Sequence, residues 1–199
     1  INRNIYILPK IGNSIEYSIL QKVNRIENIL PIVYNNKNTK NKIYLSTRLG
    51  LWSKCFINKP STNEIKEINC DNKIQKLILN AFFNSSTFYF LWILLSDCWH
   101  ITFNDIMAIK FNYDNLNENE IKKICSLSTK LDKDLEKNKK YIGSKQVEYE
   151  YKHKLSKKII DDIDRIVGKE YGFSDEEVNY IIQFAYKYRM NDTAEEGEQ

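Results

Sequence analysis

Leu79-Asn80-Ala81-Phe82-Phe83-Asn84-Ser85-Ser86-Thr87-Phe88-Tyr89-Phe90-Leu91-Trp92 holds six aromatic side chains around a short polar break. An apolar helix runs into Asn84-Ser85-Ser86 and a second apolar helix leaves it. Asn and Ser favour helix N-caps because their side-chain oxygens satisfy orphan N–H groups in the first turn. The stretch therefore predicts a buried helix–cap–helix joint at the centre of the fold.

Elements on either side of this joint define the class. Ile5 to Leu8 reads as a strand ended by Pro9. Ile15, Ile19, Val23, Ile26 and Leu30 share a helical face from Ser14, with Pro31 as the stop. Ile32-Val33-Tyr34 reads as a strand, followed by a polar loop from Asn35 to Asn41. Lys42 to Ser46 and Leu51 to Phe56 bracket Thr47-Arg48-Leu49-Gly50 as a hairpin, with Gly50 supplying a positive φ. Glu64 to Ile68 alternates like a strand, and Asp71 is placed to cap the helix leading to Phe83.

Beyond Asp97, Thr102 opens a short turn or helix, and Ile106 to Phe111 reads as a strand. Asn117 caps a charged helix reaching about Lys139, whose thin apolar stripe includes Ile121, Ile124, Leu127, Leu131 and Leu135. Gln146 to Tyr151 is a further strand candidate. Ser156 caps a helix that Gly172 closes, and Ser174-Asp175-Glu176-Glu177 is a capping box for the last helix. The expected class is α+β, a small mixed sheet with a hairpin packed on several helices and a helical C-terminal portion. The expected units are residues 1–115, a helical subdomain 116–190, and a disordered acidic tail 191–199.

The 199 residues are 42% hydrophobic and 28% charged, ordinary for a globular chain. The apolar run Ser86 to Leu95 is too short to span a bilayer, so no membrane association is expected. Cys55, Cys70, Cys98 and Cys125 lack paired spacing, which argues against a zinc ribbon and fits reduced thiols in a cytoplasmic protein. The chain opens mid-pattern without Met, as expected of a C-terminal piece of a longer protein. Net charge is +4, but residues 1–60 carry +8 and the remainder −4. That asymmetry fits a surface for a polyanion, and equally a solvated face of a Lys- and Asn-rich protein.

Catalytic patterns are missing. With six glycines there is no dinucleotide fingerprint or phosphate loop, and no nucleophile elbow or His-Glu-x-x-His helix occurs. Asp161, Asp162 and Asp164 read as acids near a helix N-terminus. Glu64-Ile65-Lys66 has the Glu-x-Lys spacing of many nucleases, yet a strand face explains it as well.

A nucleic-acid surface has more support. Lys37, Lys40, Lys42 and Lys54 are candidates for phosphate contacts, which give affinity without sequence information. Arg48 at a hairpin tip can bridge guanine O6 and N7 in the major groove. Tyr44 and Trp52 add rings to the same ribbon, although hairpin aromatics also pack on sheets. Asn84, His100 and Thr102 are secondary candidates that serve equally as caps or internal polar groups.

Tyr44, Arg48, Trp52-Ser53-Lys54, the Asn84-Ser85-Ser86 joint, His100-x-Thr102 and Asp105-Ile106 together form a recognisable order. So do Ser156-Lys157, Ile160-Asp161-Asp162-Ile163-Asp164, Tyr171-Gly172-Phe173-Ser174-Asp175-Glu176-Glu177, Ile181-Ile182 and Lys187-Tyr188-Arg189-Met190. From about residue 40 to 190 the chain resembles the target-recognition region of type IIG restriction–modification enzymes and related adenine-specific DNA methyltransferases. The resemblance implies a module that docks double-stranded DNA beside an N-terminal methyltransferase domain, with or without a nuclease. It also implies S-adenosylmethionine as the cofactor of that missing domain and none in this fragment. The family's Asn-Pro-Pro-Tyr or Asp-Pro-Pro-Tyr tetrapeptide is absent, so the fragment itself is expected to be non-catalytic. A scaffold module packing against a methyltransferase core is the alternative reading.

Overall fold

The computed structural model describes residues 9–35, 39–144 and 148–190, with positions 34 and 35 described by backbone alone. The strand expected at Ile5–Leu8, Lys37 and the acidic tail 191–199 lie outside the described residues. The elements run α1 (Ser14–Arg25), α2 (Leu30–Asn35), β1 (Asn41–Ser46), β2 (Cys55–Phe56), β3 (Ile65–Cys70), α3 (Lys73–Asn84), α4 (Ser86–Leu95) and α5 (Phe103–Ala108). Then follow α6 (Glu118–Asn138), β4 (Lys140–Tyr141), β5 (Tyr149–Glu150), a 3-10 turn (His153–Ser156), α7 (Lys157–Tyr171), α8 (Asp175–Gln183) and α9 (Tyr186–Met190). The class is α+β, as the sequence implies. The sheet, however, is antiparallel rather than mixed: order β2-β1-β3, with β4 and β5 forming a separate ribbon.

The joint lies at the centre of this arrangement. Ser85 ends α3 and caps α4, its hydroxyl accepting from the Phe88 N–H at 2.9 Å. The two helices meet at a bend of 61°. Phe82, Phe83, Phe88 and Phe90 are fully buried, each stabilising the fold by on the order of 2–3 kcal/mol. Phe82 stacks on Phe111 at 3.8 Å, and Phe83 meets Phe88 edge-on at 4.9 Å. The three-stranded sheet and α6 and α7 all pack on α3, while α7 and α8 cover α4. One buried cluster takes residues from both sides of position 115, from Ile19 to Ile181. No single helix among the described residues is long and apolar enough to cross a membrane.

Several expected elements differ. Ile32-Val33-Tyr34 is not a strand but part of α2, because Pro31 sits in that helix's first turn, where a missing N–H costs nothing. Ile106 to Phe111 is not a strand either: Thr102 and Asp105 form a capping box that starts α5, and the chain leaves it at Ile109. Only Cys55-Phe56 of the Leu51–Phe56 run pairs with β1. The connection turns where expected, with Gly50 at φ +60°. Asn72, not Asp71, caps α3, accepting from the Gln75 N–H at 2.9 Å. Ser156 donates to Asp134 at 2.6 Å rather than capping α7. Ala185, at φ +53°, breaks the last helix into α8 and α9, leaving Tyr188 exposed.

Candidate nucleic-acid interface

Thr47 is where three chain segments converge. Its N–H donates to the Glu64 carbonyl at 3.0 Å, and its carbonyl accepts from Ile101 at 2.9 Å. The next residue, Arg48, is thereby held between Glu64 and His100. Its Nε donates to His100 Nε2 at 3.1 Å and lies 3.1 Å from Glu64 Oε1, an ion pair. An imidazole that accepts at Nε2 while neutral carries its proton on Nδ1. The terminal guanidinium nitrogens of Arg48 have no partner among the described residues, so the bidentate end is oriented yet unused.

Arg48 separates two depressions. On one side lies a shallow one of about 430 Å³, bordered by Gly50, Trp92, Cys98, Trp99 and His100. Trp99 is 75% exposed and meets His100 edge-on at 5.5 Å. On the other side is a cleft of about 280 Å³, walled by Lys54, Phe56, Thr62, Tyr149 and Tyr151. Phe56 and Tyr151 are in ring contact at 4.6 Å. Burial holds the Lys54 ammonium below the ordinary lysine range, with Glu150 pulling it partly back.

The remaining candidates are spread out. Lys40 is exposed and Tyr44 half-buried. Lys42 is paired with Glu67 at 2.9 Å, and Glu67 also meets Lys59 at 3.4 Å. The hydrogen bond from Lys42 lowers the Glu67 pKa and raises that of Lys42. Thr102 is exposed but spends its hydroxyl on the α5 capping box. Lys54 is recessed in the cleft wall rather than displayed on the ribbon.

Trp52 and Asn84 are internal, the alternative the sequence left open for each, which corrects their candidacy as DNA contacts. Trp52 is 8% exposed, with the Arg189 guanidinium 4.0 Å from its ring centre and its indole N–H donating to the Arg189 carbonyl. Asn84 accepts from the Cys55 N–H at 3.0 Å and donates to the Cys55 carbonyl at 2.7 Å. It completes the edge of β2 that faces away from β1. Asn80 donates to the same carbonyl at 3.0 Å and accepts from Ser128 at 2.9 Å.

Sequence reasoning assigned no site role to Trp99, Tyr149, Tyr151 or Glu67, and read Glu64 in a Glu-x-Lys spacing or on a strand face rather than as a screening acid. An exposed Trp following a helix end was the available signal for Trp99; the others need the strand register. Glu64 is engaged by Arg48, and among the described residues no three His, Cys, Asp or Glu side chains converge on a metal site. Among the described residues the positive-φ glycines, Gly50, Gly143 and Gly172, lie in a loop, a ribbon turn and a helix end. Compared with family models, curated proteins and solved structures, the chain has no match in any of the three.

Proposed function

We propose that this chain is the double-stranded DNA target-recognition module of an adenine-N6 DNA methyltransferase of the type IIG restriction–modification kind. Methyl transfer, and S-adenosylmethionine with it, would belong to an N-terminal catalytic domain. Beyond the sequence resemblance, the observation that carries the reading is Arg48. Its Nε is fixed by Glu64 and His100 while its two terminal nitrogens remain open beside exposed Trp99. A guanidinium oriented in this way loses little entropy on bridging a guanine edge. Lys40 and the basic excess of the first sixty residues supply sequence-independent attraction to phosphates. The free thiols of Cys55, Cys70, Cys98 and Cys125 fit a cytoplasmic setting.

Fluorescence anisotropy of the full chain with randomised and fixed duplexes tests this. The expected result is salt-dependent duplex binding with a preferred sequence, and loss of the preference in Arg48→Ala. Absence of salt-dependent binding by the folded chain overturns it. The second reading is a scaffold module packed against a methyltransferase core. It draws on the pairing of Arg48, Lys42 and Lys59 with Glu64 and Glu67, which removes much of the ribbon's positive field.

A further inference from the structure

We infer that the 280 Å³ cleft beside Lys54 binds a phosphate monoester carried on a flat ring, a free 5′-mononucleotide being the simplest ligand of that class. This goes beyond the DNA reading and shares only Arg48 with it, since a duplex backbone is too wide to enter such a recess. The argument begins with charge. Of the acids on the wall, Glu64 is taken by Arg48 at 3.1 Å and Glu150 by Lys152 at 2.8 Å. The Lys54 ammonium makes no hydrogen bond or ion pair with any described residue, and the terminal nitrogens of Arg48 on the rim make no hydrogen bond with one. A half-buried ammonium without a partner is destabilising, and an incoming anion relieves it.

The rest of the wall selects what the anion is attached to. Phe56 and Tyr151 lean together at 4.6 Å, and Tyr149 adds a third ring, one face of which carries Lys139 at 4.4 Å. Such rings offer a heterocycle apolar contact and stacking. The ammonium and the guanidinium fork together present more donors than one carboxylate can accept, and phosphate has the extra oxygens. The volume is at the small end for ligand sites, enough for one nucleotide and too little for an oligonucleotide.

Isothermal titration of the full chain with AMP, adenosine and orthophosphate separates the two halves of the ligand. Saturable AMP binding is expected, with adenosine and orthophosphate each at least tenfold weaker. Lys54→Met should weaken AMP at least tenfold, and Tyr149→Ala, on the half-exposed ribbon, several-fold. Circular dichroism confirms that both variants fold. Should Lys54→Met not fold, retention by Lys54→Arg together with loss by Tyr149→Ala decides in favour. No saturable AMP binding, unchanged binding by folded Lys54→Met, or orthophosphate binding as tightly as AMP overturns the inference. Duplex binding that persists while AMP fails to bind would sink the cleft site and leave the DNA reading standing.

Discussion

Asp164 accepts two hydrogen bonds from Thr87, one from its backbone N–H and one from its hydroxyl, both at 2.8 Å. The Ser86 N–H adds a third at 3.2 Å. A carboxylate from α7 thus closes the N-terminus of α4, where these N–H groups have no acceptor within their own helix. Burial raises the Asp164 pKa, and the bonds from Thr87 and Ser86 and the charge of Arg189 oppose that rise. Asp164→Ala should lower stability by about 3 kcal/mol by stranding buried donors. Asp164→Asn should recover part of this, because its carbonyl oxygen still accepts from Thr87. Urea unfolding measures both, and an alanine variant within about 1 kcal/mol of wild type contradicts the account.

Arg189 ties the C-terminal turn to the core. Its Nε donates to the Leu51 carbonyl at 3.2 Å and its terminal nitrogens to Ser86 Oγ at 3.3 and 3.2 Å, with Trp52 and Tyr89 rings at 4.0 and 5.0 Å. Lysine can reproduce neither the fork nor the stacking. Arg189→Lys is expected to destabilise by about 2–4 kcal/mol and to reduce the near-UV circular dichroism arising from Trp52. An unchanged near-UV spectrum would show that the contact does not order the indole.

Acid should weaken the fold through His153. The ring is 1% exposed, and burial, then the nearby charge of Lys54, pushes its pKa down to about 3, against 6.5 ordinarily. Between those values the unfolded chain holds a proton that the folded protein does not, so stability falls as pH drops through 6.5 toward 3. The expected loss from this residue between pH 7 and pH 5 is about 2 kcal/mol. The difference in stability between wild type and His153→Gln, followed across that range, isolates it. A pH-independent difference would assign the effect elsewhere.

Removing the acid that screens the ribbon should strengthen any duplex contact. Glu67→Gln releases Lys42 and Lys59 from their shared partner. Under the DNA reading, affinity rises several-fold at low salt and the salt slope steepens by about one to two counterions. Identical binding curves for the variant and wild type would move the interface away from this face.

Capped helices were legible because their signals are local. Asn117 accepts from Asn119 and Glu120, Ser174 and Glu177 close a reciprocal box, and Gly172 takes φ +66°. Short apolar runs were not. Ile32-Val33-Tyr34 has β-branched content and too few residues to show a period, so its helical state depends on the packing of α2 beside β3. The charged surface was legible as composition but not as field: that Glu67 lies opposite Tyr44 and next to Lys42 is a matter of register between β1 and β3. Asp164 read as an acid favouring its own helix's dipole, whereas it serves α4, 77 positions earlier in the chain. No local pattern encodes that pairing.

Asn84 and Asn80 hold Cys55 by its main chain, so the outer margin of the sheet hangs from a helix and not from another strand. Two amides on consecutive turns of α3 therefore act as a peg on which the loops before and after Cys55-Phe56 are suspended. Whereas the loop before Cys55 is pinned to Arg189 through Leu51 and Trp52, the loop after Phe56, which carries Thr62, can change length and sequence without unravelling what supports it. Natural variation among relatives of this chain should accordingly concentrate there, rewriting what the surface recognises while the peg stays put.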